Sequence, residues 1–178
     1  MLINKSNFNI YKTFINIKMN SSRNKRKNMI IHSFCIILLD QISKFLVLIF
    51  LGFENSKNII PYFLNFNLVK NKGAAFSLFS NSTTLLTFTS VFASLVLITL
   101  IFKSSNRSYW NSLGLTYLLG GTIGNGIDRI FKGYVLDFLE ISTINFPIFN
   151  VADISINIAI ACFIIDLLSK KNKSIKSS

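Results

Sequence analysis

The chain has 178 residues, 51% of them hydrophobic, with a formal net charge of +12 and a mean hydropathy of +0.49. That length allows one domain. Its apolar residues come in long blocks between basic, Asn- and Ser-rich ends, which excludes an ordinary soluble core, and the basic residues mostly flank those blocks, as in membrane orientation rather than nucleic-acid binding.

Residues 1–28 hold seven Lys or Arg and no acid. They read as a loose cytoplasmic tail, partly amphipathic through Phe8, Ile10, Phe14 and Ile17. A targeting peptide fits less well, because the next apolar run carries Asp40 and Lys44 and has no small-residue cleavage site at its end. That run, about 29–51, is long enough to span a bilayer at about 1.5 Å per residue. Asp40 and Lys44 are four apart, so they share a helix face and can pair. The face should look into the protein, either as an ion pair fixing helices together or as a substrate contact. His32 has no second His and no clustered Cys near it, so neither a zinc site nor a Ser-His-Asp triad is indicated. Cys35 and Cys162 lie inside apolar blocks and read as small buried hydrophobes.

Residues 52–81 change character. The alternation over Ile60–Val69, with Pro61, predicts short strands, and Gly73-Ala74-Ala75 gives a tight backbone before Phe76 and Phe79. We expect a small β-rich flap on the membrane surface, its aromatics touching lipid or substrate; an ordinary interfacial loop is the alternative, since aromatics favour that zone. The second block, about 82–102, carries no charge and reads as a spanning helix whose Thr and Ser bond back to the backbone. A short basic loop with Lys103 and Arg107 follows. The third block, about 109–127, contains Gly114, Gly120, Gly121, Gly124 and Gly126, small residues that let helix backbones approach; Gly120 and Gly124 have small-xxx-small spacing. The fourth block, about 147–168, ends before a Lys-rich tail.

The expected fold is therefore an α-helical membrane protein with four transmembrane helices and a small extracytoplasmic β-rich flap between helices 1 and 2. A basic cytoplasmic tail (1–28) and a second one (169–178) bracket a membrane domain (29–168). Four spans put both ends on one side. The tails and the 103–108 loop carry 13 basic residues against five on the other face, so both termini are expected in the cytoplasm, with residues 52–81 and the 128–146 loop outside. Asp166, near the cytoplasmic end of the fourth span, reads as interfacial. No Gly-rich phosphate loop follows a strand, so nucleotide chemistry is not indicated, and neither a cofactor nor a metal is expected.

The outer ends of the third and fourth spans collect the polar residues: Asn125, Asp128 and Arg129 in GNGIDR, Asp137 in VLDF, Asn150 and Asp153 in FNVAD, with Asn71 from NKGAAF nearby. Carboxylates at the edge of hydrocarbon are expensive. Composition alone favours a plain reading of Asp137 and Asp153 as helix-end polar residues at the water interface. A close pair, however, can share one proton and activate a water, with amides and Arg129 holding a carbonyl and its developing charge.

These motifs, together with DQISK at 40–44 and in this order, closely resemble the lipoprotein signal peptidases (signal peptidase II), bacterial membrane aspartyl peptidases. The resemblance spans about residues 30–168. It implies an aspartyl endopeptidase that removes the signal peptide of diacylglyceryl-modified prolipoproteins before the lipidated cysteine. It also implies that Asp137 and Asp153 are the catalytic dyad. Asn71, Asn125, Asp128, Arg129 and Asn150 would then shape the site, and Asp40 and Lys44 match a further motif. The expected setting is the bacterial cytoplasmic (inner) membrane, with the site at the outer face, prolipoproteins and membrane lipid as partners, no nucleic acid, and a monomer. Thr122 and Leu136 depart from the usual alanine and valine, outside the carboxylate set. The basic tail is longer than the resemblance leads one to expect, so a later start, at Met19 or Met29, is an alternative. A small ion- or proton-coupled transporter is the competing reading, but it should hold ionisable groups near the midplane between repeats, and here they cluster at one face. A non-catalytic adaptor would need no facing carboxylates.

Overall fold

The computed structural model describes residues 5–53, 55–73, 82–103 and 107–175, with side chains described from 19 to 171 within those ranges. Ala74, Ala75, Phe76 and Phe79 lie outside the described residues. The elements are α1 (Lys5–Phe50), β1 (Ser56–Ile60), β2 (Leu64–Asn71), α2 (Thr83–Lys103), α3 (Tyr109–Lys132), β3 (Val135–Ile141) and α4 (Val151–Ile175).

Among the described residues, three helical stretches are long and apolar enough to cross a membrane: Met19–Phe50, Thr83–Lys103 and Val151–Lys171. Their outward faces are hydrocarbon, with Phe45 60%, Phe88 70%, Phe92 70% and Leu167 67% exposed, whereas Asp40, Lys44, Asp128, Asp137 and Asn150 are all buried to within 2%. Exposed apolar and buried polar surface in this arrangement is what a lipid solvent selects. Cys162 is buried as expected, but Cys35 is exposed on α1; its apolar neighbours reflect an outward, not an inward, helix face.

α3 packs against each of the other three helices. Its glycines explain how. A Cβ on Gly120 would stand 2.7 Å from Ile36 Cγ2 and one on Gly124 2.7 Å from Asp40 Oδ2, so the small-xxx-small pair is the seam with α1. A Cβ on Gly121 would stand 2.5 Å from the Ala152 carbonyl oxygen, so this glycine sets the contact with α4. At the end of α3 remote from the sheet, Ser108 caps the helix by accepting from the Asn111 N–H and donates its own hydroxyl to Asp166. Asp166 also pairs with Lys170 at 2.7 Å and is itself buried. At the same end the Lys25 ammonium donates to the Arg107 carbonyl at 2.6 Å.

Two segments differ from the sequence expectation. The stretch read as a loose tail is helical from Lys5 onward and continuous with the first apolar block; no Gly or Pro interrupts residues 5–50. The stretch read as a 128–146 loop is two elements. Asp128 and Arg129 belong to the last turn of α3, which closes on Gly133 in the left-handed conformation (φ 74°), and residues 135–141 form β3. The sheet is antiparallel in the order β1-β2-β3. In chain order its first two strands come between α1 and α2, turning at Pro61–Phe63, while the third comes between α3 and α4. Leu68, Leu136 and Phe138 of the sheet bury themselves with Val47 of α1, seating the sheet on the bundle end.

Candidate active site

Each site residue is positioned by an element end. The β2–β3 ladder pairs Val69 with Asp137 and Asn71 with Val135, which brings the Asn71 side chain within reach; its Nδ2 donates to Asp137 Oδ2 at 2.8 Å. The Asn71 side-chain oxygen Oδ1 is fixed in turn by accepting the Gly73 N–H at 2.9 Å. Downstream of β3 the chain doubles back. Phe138 and Leu139 both donate backbone N–H to the Phe149 carbonyl (3.1 and 2.8 Å), so Asn150 arrives beside Asp137.

Asn150 is the N-cap of α4. Its Oδ1 accepts the Asp153 N–H at 3.0 Å, and Asp153 Oδ2 accepts the Asn150 N–H at 3.1 Å, a reciprocal capping box. The Asn150 amide nitrogen meanwhile donates to Asp137 Oδ1 at 2.6 Å and to Asn125 Oδ1 at 3.0 Å. Asn125 Nδ2 donates to Asp153 Oδ1 at 2.8 Å. The two carboxyls thus meet on one residue, Asn150, whose side chain bonds Asp137 and whose backbone N–H bonds Asp153, and both line a cleft of about 840 Å³ between α2, α3, α4 and the sheet. Arg129 lines the same cleft and is tethered to α2 by donating to Ser90 Oγ at 3.3 Å. Burial, and next the charge of Asp153, push the Asp137 carboxyl up to about 7, against the opposing hydrogen bonds from Asn71 and Asn150.

Beneath the pair lies an ion chain. Lys44 bonds Asp40 at 2.8 Å and Asp128 at 2.9 Å, and Asp128 also bonds Lys132 at 2.7 Å. Lys44 donates as well to Asn125 Oδ1 at 3.1 Å, which leaves the Asn125 Nδ2 pointing at Asp153. Asp40 Oδ1 accepts the Ala152 N–H at 2.9 Å, anchoring the first turn of α4, where the helix dipole favours a negative charge. Asp128 Oδ2 takes the Leu136 N–H at 3.1 Å and so holds the start of β3. Of the two readings open for Asp40 and Lys44, the geometry is that of an ion pair tying α1 to α3 and α4.

Eight of the nine residues singled out from the sequence therefore lie in one bonded cluster, and the ninth, Arg129, lines the same cleft. The sequence reading passed over Ser90 and Asn157 on the cleft wall, and Gln41, which donates to the Gly124 carbonyl at 3.1 Å. Asn157 follows Asp153 by one helical turn, a spacing that could have marked it. Thr122, set aside as outside the carboxylate set, faces the cleft. Among the described residues no group of three or more His, Cys, Asp or Glu is arranged to hold a metal.

The family model for signal peptidase (SPase) II matches residues 32–169. A lipoprotein signal peptidase of Parasynechococcus marenigrum (strain WH8102) is 42% identical over 139 residues, covering 78% of this chain and 87% of that one. One of Enterococcus faecalis is 40% identical over 133 residues, covering 75% and 83%. Among solved structures, one described as a bacterial membrane enzyme superposes with a TM-score of 0.77 at 28% identity, covering 83% of this chain and 91% of that chain.

Proposed function

This chain belongs to the signal peptidase II family, and from that premise we propose that Asp137 and Asp153 are the catalytic dyad with which it cleaves diacylglyceryl-modified prolipoproteins. It is a membrane aspartic peptidase that removes signal peptides from prolipoproteins; the transporter alternative finds no support. The observation that carries the assignment is the pair of carboxyls, Asp137 buried and Asp153 half-buried, bonded around Asn150 and open to one cleft.

In the proposed reaction one ionised carboxylate takes a proton from a water, whose oxygen adds to the scissile carbonyl carbon. The protonated partner gives its proton to the carbonyl oxygen. The tetrahedral species then collapses: the C–N bond breaks, the leaving nitrogen receives the proton taken from water, and one hydroxyl on the acyl carbon returns its proton to the carboxylate that acted as acid, which restores the dyad. A carboxyl held near 7, as Asp137 is, suits the half-protonated state this needs. Arg129, whose guanidinium bonds only Ser90 among the described residues, holds the carbonyl as charge develops. Asn71, Asn125 and Asn150 aim the carboxyls, while Asp128, Asp40 and Lys44 hold the elements that carry them.

We also take α3 as a fourth span. Its 24 residues reach about 36 Å, and its polar side chains turn toward the other helices. The charge asymmetry supports cytoplasmic termini, which would set the sheet and dyad at the outer face of the bacterial inner membrane, acting as a monomer.

The test is cleavage of a diacylglyceryl-modified prolipoprotein in detergent or lipid. Asp137→Asn and Asp153→Asn should each lower turnover by roughly 10³-fold or more with folding intact, and the double variant should be little worse than either. Near-normal cleavage by either single variant removes the dyad; equal cleavage of the unlipidated precursor removes the lipid requirement.

A further inference from the structure

We propose that Thr122 and Asn157 hold the unwound main chain of the signal peptide on the bilayer side of the dyad, an inference that rests on the dyad reading above. α3 and α4 run antiparallel: Asn125 meets Asp153, and Ser108 meets Asp166 at the far end. One turn back along α3 from Asn125 is Thr122, and one turn forward along α4 from Asp153 is Asn157. Both line the same cleft as the carboxyls, so they form its polar wall one turn deeper toward the apolar middle of the bundle.

The side chains are unlike their neighbours in how they are used. Thr87, Thr99 and Thr116 each return the hydroxyl to the carbonyl four residues earlier, all at 2.8 Å. The Thr122 hydroxyl has no partner among the described residues. Ser90, across the cleft, is already committed to the Leu86 carbonyl and to Arg129. Asn157 stands exposed in an otherwise apolar run of α4, and its amide too has no partner among the described residues. An amide at that depth is costly unless something arrives to bond it.

A substrate supplies what is missing. A scissile carbonyl can be attacked only when its segment leaves the helix, and every N–H and C=O then freed at hydrocarbon depth needs a partner. Asn157 offers one acceptor and two donor hydrogens, and Thr122 one of each kind, enough to bond an extended strand along one edge. The recognised chemistry is main-chain amide, so these contacts serve many signal-peptide sequences.

The experiment uses the full chain with a lipidated prolipoprotein, comparing Thr122→Val and Asn157→Leu, which keep size and remove hydrogen bonding. Each should raise KM about tenfold with kcat largely kept and the melting midpoint unchanged. A second arm replaces, one at a time, the amides of the four residues before the lipidated cysteine by esters. One ester should raise KM on the native enzyme and cost nothing further on Asn157→Leu. Native KM in both variants, a lower KM for Asn157→Leu, or ester penalties that are identical on native and variant enzyme would overturn the proposal. Failure of the dyad reading appears elsewhere, as retained turnover in Asp137→Asn, and leaves these KM comparisons standing.

Discussion

Replacing Lys44 by methionine removes the cation that two buried carboxylates share. Lys44 is 1% exposed, and Asp40 and Asp128 are fully buried, so water cannot take its place. Taking one partner from a buried pair costs about 3–5 kcal/mol, chiefly because a charge is left uncompensated. The structure says which carboxylate that is. Asp128 keeps Lys132 at 2.7 Å and the Leu136 N–H. Asp40 keeps only the neutral donors Ala152 N–H and Gln41. Lys44→Met should therefore lower the thermal midpoint by on the order of 10 °C. Adding Asp40→Asn should recover more of the loss than adding Asp128→Asn, since an amide oxygen can still accept from Ala152. Activity should fall as well, because the Asn125 amide oxygen loses one of the two donors, Lys44 and Asn150, that orient it toward Asp153. The assay is thermal unfolding of the purified variants in one detergent, with turnover measured in parallel. A midpoint equal to that of the native protein, or better rescue by Asp128→Asn, refutes the reasoning.

Turnover should decline as pH rises through about 7, where the raised Asp137 carboxyl loses its proton, and Asn71→Leu should move that limb upward because it removes a bond that favours the ionised form; a pH–rate profile checks both. The sign for stability follows from the same shift: a carboxyl raised in the folded state contributes stability that is full below its unfolded value of about 3.9 and is lost as pH rises to about 7. Gly121→Ala should cost about 1–3 kcal/mol and most of the activity, since its Cβ would stand 2.5 Å from the Ala152 carbonyl and α4 must shift with Asp153 on it; unchanged unfolding and turnover would show that the helices can part freely there.

Much of the site was legible because its residues are polar in apolar surroundings, where chance seldom leaves them. Asp40 and Lys44 stood out by spacing on one helix face, and FNVAD carries a capping box in its own letters. What stayed hidden is set by long-range pairing. β3 is a seven-residue strand whose alternation is interrupted by Asp137, and its partner, β2, lies 64 or more residues earlier. Only the ladder to β2 and the return of Phe149 make it a strand and draw Asn71 and Asn150 onto one carboxyl. The helical run of the basic segment was hidden for a different reason: charge and polarity signal exposure, not conformation, and nothing there breaks a helix. Thr122 passed as a neutral exchange because it lies outside the carboxylate set, and only the cleft shows that its face is open.

The charges of the cluster account for its protonation. Asp40, Lys44, Asp128 and Lys132 form a chain of alternating sign, each link between 2.7 and 2.9 Å, and that chain is neutral in itself. Asp137 and Asp153 remain, with Arg129 on the wall of their cleft. Lys70 and Lys72 stand at the rim but are solvent-exposed, where screening weakens them. Two carboxylates beside one guanidinium leave one negative charge unbalanced, and a single proton removes it. The half-protonated state that a paired acid and base require is then the electrically neutral one. Lys44 sustains it indirectly, by satisfying Asp40 and Asp128 so that neither competes for Arg129 or for the shared proton.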